Sequence, residues 1–183
     1  TVTVSVNDAS VSVENDTVGL YVDGNFTINA TTVPAGLNVT YVPDNSGVVS
    51  VDDNGVVTAL KEGTAIIFVK VGGDGIYAEN STAVTVVVSK IPTKISVLND
   101  TFEFTLGNGT AYFANLIPVD AGELNCTSSD NDVVIIFFGA IVAVGEGEAN
   151  VTVSFDGNDK YAAAESKIIH VKVTLNDASV SIA

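Results

Sequence analysis

The chain has 183 residues, with 22 acidic residues against seven lysines and no arginine, for a formal net charge of −15. Negative charge spread as −7 over residues 1–91 and −8 over residues 92–183 opposes contact with nucleic acid or anionic lipid. The longest apolar run, Val133 to Val144, contains Gly139 and is too short to cross a bilayer as a helix, so no membrane insertion by this fragment is expected.

Tryptophan, methionine and glutamine are missing, and the apolar content rests on Val, Ile and Ala beside abundant Thr. These residues suit pleated, half-buried surfaces, and no helical periodicity competes with them. An all-β fold is therefore expected. One cysteine, Cys126, cannot form an internal disulfide, so packing alone must stabilise the fold. With no initiator methionine and no signal peptide, the chain reads as a piece of something longer.

The sequence repeats itself. Gly55-Val-Val-Thr-Ala-Leu-Lys-Glu-Gly-Thr-Ala-Ile-Ile-Phe-Val69 returns 84 residues later as Gly139-Ala-Ile-Val-Ala-Val-Gly-Glu-Gly-Glu-Ala-Asn-Val-Thr-Val153. Each copy is expected to be a short strand, a tight turn at Gly63 or Gly147, and a longer strand, forming an antiparallel hairpin. The repeat predicts two tandem β-sandwich domains, residues 1–91 and 92–183. The opening string of residues 1–14 is restated by Val171 to Ala183, so residues 174–183 resemble the start of a third repeat in a longer array.

In chain order, residues 1–14 alternate apolar and polar around Asn7-Asp8. Asn25 to Val33 reads as a strand closed by Pro34-Ala-Gly36, Leu37 to Val42 as the next, and Val48 to Val51 leads through Asp52-Asp-Asn-Gly55 into the repeated motif. The Asp-Asn-Gly turn supplies residues that tolerate positive φ. A loop at residues 72–77 precedes the strand Ala83 to Val88, and Ile91-Pro-Thr-Lys94 is a short linker. The second repeat reuses the plan with strands Ala111 to Ile117, Leu124 to Ser128, Val133 to Phe138 and Lys167 to Val173. About seven strands per repeat, separated by Pro, Gly and Asn turns, predict two packed antiparallel sheets. Tyr77 and Tyr161 share the 84-residue offset and are expected to tuck their rings under a turn, hydroxyl to backbone. Leu124-Asn-Cys-Thr set against Leu37-Asn-Val-Thr places Cys126 where the first repeat has Val39, as a small buried hydrophobe.

The run Leu37 to Val69 resembles the group 2 bacterial Ig-like domain, found in tandem in intimin- and invasin-type surface proteins. The second repeat matches more loosely, because Phe137-Phe138 stand where the first has aspartates. Gly-Asp-Gly-Ile-Tyr-Ala and Gly-Asn-Asp-Lys-Tyr-Ala are similar to the tails of repeats in adhesin-like proteins of methanogenic archaea. The resemblance implies an extracellular Ig-like sandwich and transfers no catalytic residues. The family's usual middle-strand tryptophan is missing, with Tyr41 and Ser128 near its place.

Among chemical signals, Asn-x-Ser/Thr triplets stand out, at Asn15, Asn25, Asn29, Asn38, Asn80, Asn99, Asn108, Asn125 and Asn150. Nine of sixteen asparagines, where composition gives roughly three, predict an N-glycosylated surface. Asn80, Asn99 and Asn108 are read as the acceptors on exposed turns. Acidic turns at Asp44, Asp52-Asp53, Asp130-Asn131-Asp132 and Asp156 to Asp159 offer oxygen ligands for calcium. None has the full spacing of a calcium loop; turn chemistry explains them, and no cofactor is expected. The single histidine, His170, falls on the solvent side of its strand, and no nucleophile–base pair, metal-ligand spacing or phosphate loop is present. Without glutamine a Thr–Gln ester cross-link is ruled out, and the first strand of repeat 1 holds no lysine for an amide cross-link.

The repeats diverge at one strand. Val49-Ser-Val-Asp52 alternates, whereas Val133-Val-Ile-Ile136 followed by Phe137-Phe138 is apolar throughout. Alternation assigns Val134, Ile136 and Phe138 to the outward face, as a protein-contact surface unless a neighbouring strand or domain covers it. The expected function is a non-enzymatic stalk or spacer in an extracellular cell-surface adhesin-like protein, contacting neighbouring Ig-like repeats. The alternatives are a module that itself binds a partner-cell protein or glycan, which the lack of tryptophan disfavours, and an accessory domain of a secreted enzyme.

Overall fold

The computed structural model describes residues 5–111 and 113–176, so the string resembling a third repeat lies outside the described residues from position 177 onward. The chain divides into two compact units that meet between Ile91 and Pro92.

In the first unit the strands are β1 (Ser10–Val13), β2 (Thr17–Tyr21), β3 (Asn25–Thr27), β4 (Ala30–Val33), β5 (Thr40–Pro43), β6 (Val49–Val51), β7 (Val56–Ala59), β8 (Gly63–Val71) and β9 (Asn80–Ser89). One layer is the four-stranded sheet β2-β9-β8-β5; the other is made of β3-β7-β6 and the pair β1-β4. Only Ile28 and Asn29 separate β3 from β4, and the Ile28 N–H donates to Gly55 O at 2.9 Å, so the chain kinks without losing its pairing. β8 carries its side chains alternately inward and outward: Ala65, Ile67, Val69 and Val71 are buried, and Thr64, Ile66 and Phe68 face out. Val84, Val86 and Val88 of β9 and Val57 and Ala59 of β7 close the same core from both layers.

The second unit repeats this plan with β10 (Lys94–Val97), β11 (Thr101–Thr105), β12 (Gly109–Ala111), β13 (Ala114–Ile117), a 3-10 turn (Val119–Ala121), β14 (Asn125–Ser128), β15 (Val134–Phe137), β16 (Ala140–Ala143), β17 (Gly147–Phe155) and β18 (Ala164–Thr174). Its sheets are β11-β18-β17-β14, β12-β16-β15 and β10-β13. Ile95, Leu116, Ile141, Val151, Val153, Ile169 and Val171 are buried between them.

Three expectations change here. The motif at Gly55–Val69 is not a hairpin: β7 and β8 belong to different sheets, and Gly63 carries the chain across the sandwich with φ of 146°. β7 instead pairs with β6 and β8 with β9, because Val57 and Ile67 must each face the shared core from opposite sides. Gly147, at φ of 144°, makes the same crossing in the second unit. Second, the sheets are not wholly antiparallel. β2 runs parallel to β9, pairing Thr17–Tyr21 with Thr85–Ser89, and β11 runs parallel to β18. After β1 pairs in one layer the chain changes layer, and β2 covers the free edge of the last strand. Third, Tyr161 is buried as expected, but its hydroxyl donates to the Asp120 carboxylate at 2.8 Å rather than to backbone.

Candidate interaction site

The units diverge along β14, β15 and the turn that follows. β14 pairs Cys126 with Val153, and β5 pairs Tyr41 with Val69. Since Val69 and Val153 are equivalent at the 84-residue offset, Cys126 occupies the place of Tyr41, not that of Val39. Likewise Val134 pairs with Ala143 as Val49 pairs with Ala59. One extra residue between Pro118 and Asn125, relative to Pro34 and Thr40, shifts both strands; a turn one residue shorter before Gly139 restores the offset.

This shift overturns the expected outward strip. Val134 is equivalent to Val49 and fully buried, at 0% exposure. A one-residue slip exchanges the two faces of a strand, so Ile136 points inward beside the core and is half-buried. The outward positions are Ile135 and Phe137, with Phe137 58% exposed. Phe138 belongs to the turn and is 95% exposed. Its ring meets that of Phe137 edge-on, with centroids 4.5 Å apart.

The two turns are built differently. In the first unit Asp52 Oδ1 accepts the N–H groups of Asn54 and Val56 at 2.9 and 2.8 Å, and Gly55 takes a positive φ of 77°. The second unit has a two-residue turn between Phe137 and Ala140, with φ of 47° at Phe138 and 73° at Gly139. Such turns favour Asn-Gly, because both central residues are left-handed. A phenylalanine there is strained, and its ring gains no burial in return.

Beneath the turn the difference continues. The Tyr41 ring lies over Gly55, where an added Cβ would meet its Cζ at 2.7 Å; among the described residues nothing stands within 4 Å of the same position at Gly139. Here, with Cys126 in the tyrosine's place, an open cavity of about 810 Å³ is lined by Phe113, Leu116, Val119, Cys126, Phe138 and Gly139 among others. Burial raises the Cys126 thiol above its ordinary pKa, which keeps it protonated and poorly nucleophilic. Burial, with the nearby Asp52 charge second, raises the Tyr41 phenol as well.

The other sequence-predicted residues fall as follows. Asn99 and Asn108 are exposed in the β10–β11 and β11–β12 turns, and Asn108 Nδ2 donates to Thr105 Oγ1 at 2.5 Å. Asn80 is not on an exposed turn: it opens β9, half-buried, and its Oδ1 accepts the Val11 N–H at 3.2 Å. The other six sequon asparagines are exposed. Asp44 accepts N–H groups of Ser46 and Ile66, and Asp74 those of Ile76 and Tyr77. These carboxylates serve turns, and no cluster of three or more metal-ligating side chains occurs among the described residues. His170 is exposed, with Nδ1 2.7 Å from Asn150 Oδ1. Among the described residues no helix is long and apolar enough to cross a membrane.

Sequence patterning does not place Cys126: matching Leu-Asn-x-Thr strings sets the register two residues off, and counting back from Gly139 by the Gly55-to-Tyr41 distance lands one residue short, on Asn125. Along β15 the 84-residue offset, which sets Val133 against Val49, is one residue out and turns Phe137 inward.

Layering, strand order and paired sheets define each unit as an Ig-like β-sandwich, and the chain as two of them in tandem. No family model matches the sequence, and no curated protein matches it. Among solved structures the chain is similar to the titin domains Z1Z2 in complex with telethonin, at 11% identity and a TM-score of 0.50, over 94% of this chain and 100% of that one. It also aligns with the S-layer protein rSbsC(31-844), at 18% identity and a TM-score of 0.45, over 93% of this chain and 28% of that one. Drosophila N-cadherin EC1-3 aligns at 12% identity and a TM-score of 0.37, over 93% of this chain and 68% of that one. The chain thus spans under a third of the S-layer chain it matches.

Proposed function

We propose that the chain is a non-enzymatic structural module pair of an extracellular, cell-surface adhesive protein, acting as a load-bearing spacer between neighbouring Ig-like repeats. The observation that carries this reading is the parallel pairing of β2 with β9 and of β11 with β18. Each unit is entered near one of these strands and left through the other. In a parallel pair the start of one strand and the end of the other lie at opposite ends, so tension along the chain shears all the ladder bonds together. An antiparallel pair pulled from one end would instead open bond by bond. β9 is held on its other side by β8 over nine register positions, Gly63↔Val88 to Val71↔Asn80, so the outgoing strand is clamped from both flanks. Exposed sequons such as Asn99 and Asn108 suit a glycosylated surface, and the acidic surface favours solubility and discourages nonspecific contact.

Single-molecule stretching tests the reading. Two unfolding events of similar contour length should occur at forces well above those of a chain carrying Val18→Pro and Phe102→Pro, which remove N–H donors from the parallel ladders. Thr85 N donates to Asp16 O, and His170 N to Asp100 O, both at 2.8 Å, which sets that register. Equal forces in the two chains would refute the shear clamp. Saturable binding of the labelled chain to partner cells or isolated wall material would move recognition from elsewhere in the parent protein onto these units.

A further inference from the structure

We propose that Asn108 is a site of spontaneous chemical ageing, where the unglycosylated side chain cyclises onto Gly109 and opens to aspartate or isoaspartate. The inference goes beyond the spacer reading and does not depend on it. The sequence has two Asn-Gly pairs, Asn54-Gly55 and Asn108-Gly109, and the structure sets them differently. Asn108 and Gly109 are both exposed. The Asn108 carbonyl accepts the Ala143 N–H of β16 at 2.9 Å. Across a trans peptide the next N–H points the opposite way, so the Gly109 nitrogen faces away from β16, along the open edge of a sheet in which β12 is an outer strand. Packing demands glycine here for a separate reason, since a Cβ on Gly109 would lie 2.1 Å from Ile141 O. The position therefore keeps the one residue with no side chain to screen its own nitrogen. At the other pair Gly55 is buried under the Tyr41 ring. Its N–H donates to Asp52 O at 3.0 Å, and Asp52 Oδ1 accepts the Asn54 N–H at 2.9 Å. The Asp52 charge also opposes an anion on the neighbouring nitrogen.

The reaction needs only water. Hydroxide takes the Gly109 amide proton, the nitrogen attacks Asn108 Cγ, and a ring of Gly109 N with Asn108 C, Cα, Cβ and Cγ closes. The Cγ–Nδ2 bond breaks, and ammonia leaves with a proton from solvent. Water then adds to one of the two imide carbonyls. Opening at Cγ gives aspartate; opening at the main-chain carbonyl gives isoaspartate, whose backbone runs through Cβ and Cγ and is longer by a methylene. The turn is too closely tied to absorb that insertion. Asn108 N–H donates to Thr105 O and Gly107 N–H to Ala143 O, both at 3.0 Å, and Leu106 N–H donates to Thr174 O at 2.9 Å. These bonds stand where the chain passes from β11, paired with β18, to β12 in another sheet, so isoaspartate loosens the second unit at one end of its parallel pair. Thr110 makes the same asparagine a sequon. A glycan on Nδ2 would occupy the leaving atom, so glycan and ageing exclude each other at this residue.

The test is incubation of the unglycosylated 183-residue chain at neutral and at alkaline pH, followed by peptide mapping. Asn108 should exchange its amide nitrogen for oxygen and yield isoaspartate, at a rate that rises with hydroxide. That rate should be about tenfold above the rate at Asn54, the factor given by one hydrogen bond together with a nearby carboxylate. Asp52→Ala should bring Asn54 toward the rate of Asn108. Asn108→Gln, whose longer side chain closes the ring far more slowly, should leave position 108 unconverted. Calorimetry of the aged parent should show the second transition lowered by about 4–8 °C, the effect of one lost hydrogen bond in a domain this size, with the first unmoved; aged Asn108→Gln should show no shift. Conversion at Asn54 that equals or exceeds conversion at Asn108, a rate indifferent to pH, an Asn54 no faster in Asp52→Ala, or a second transition unmoved once isoaspartate has formed would overturn the proposal.

Discussion

Replacing Gly63 by alanine isolates the crossing between sheets. Two costs combine. The backbone sits at φ of 146°, a conformation that strains an L-residue by about 1–3 kcal/mol. The new Cβ would also lie 2.8 Å from Val48 Cγ2. Val48 is buried and its branched side chain is stiff, so relief requires a shift in the core, for a further cost of about 1–3 kcal/mol. A total near 4 kcal/mol should lower the melting temperature of a domain this size by about 16–32 °C. Calorimetry of the whole chain reads this directly, because the second unit is an internal control whose transition should not move. Gly147→Ala, where the nearest contact is Val133 Cγ2 at 3.0 Å, should cost less. Adding Val48→Ala to Gly63→Ala should recover the steric share and leave the conformational one, a non-additivity readable in a double-mutant cycle. An unchanged first transition in Gly63→Ala would refute the crossing geometry, and strict additivity with Val48→Ala would remove the clash from the account.

Two further outcomes concern side chains that hold turns. Asp44, Asp52 and Asp74 have carboxyls lowered below the usual value, Asp44 first by the Ser46 side chain, Asp52 by the Val56 N–H and Asp74 by the Tyr77 N–H. Their contribution is complete above the unfolded value near 4 and is lost as pH falls through the folded values; the first unit should destabilise below about pH 4, less steeply once all three are asparagine, and identical slopes would contradict the assignment. In protein purified from its native host, mass spectrometry should find glycan on Asn99 and Asn108 and less on Asn80, whose replacement by alanine should cost about 1 kcal/mol through the orphaned Val11 N–H; equal occupancy at Asn80 would show that this bond opens.

How far the fold could be read in advance followed the strength of local signals. Gly, Pro and Asn located the turns, and alternation located β8 and β17, because each has one dry and one wet side. Where both sides are apolar, as from Val133 to Phe138, alternation carries no phase, and a slip of one residue turned Val134 outward on paper and inward in the molecule. The parallel pairing was invisible because it depends on a change of layer between β1 and β2, which no turn residue encodes. Gly63 marked a special backbone position correctly, but a glycine at positive φ serves a crossing between sheets as well as a hairpin. The apolar character of Phe137 and Phe138 was legible in composition, but their facing and the cavity beside them were not. Part of that difference is Cys126 on β14, which stands where the first unit has Tyr41.

The paired length changes around β14 and β15 make residues 119–139 an interchangeable cassette. The chain leaves the common spacing after Pro118 and regains it at Gly139, so every strand outside the segment keeps its partner. Lineages of such repeats could trade this segment as a unit and alter one edge of the sandwich while inheriting the rest. Transplanting residues 35–55 into the second unit should therefore yield a folded protein with a filled edge, as a swap of surface identity rather than of architecture.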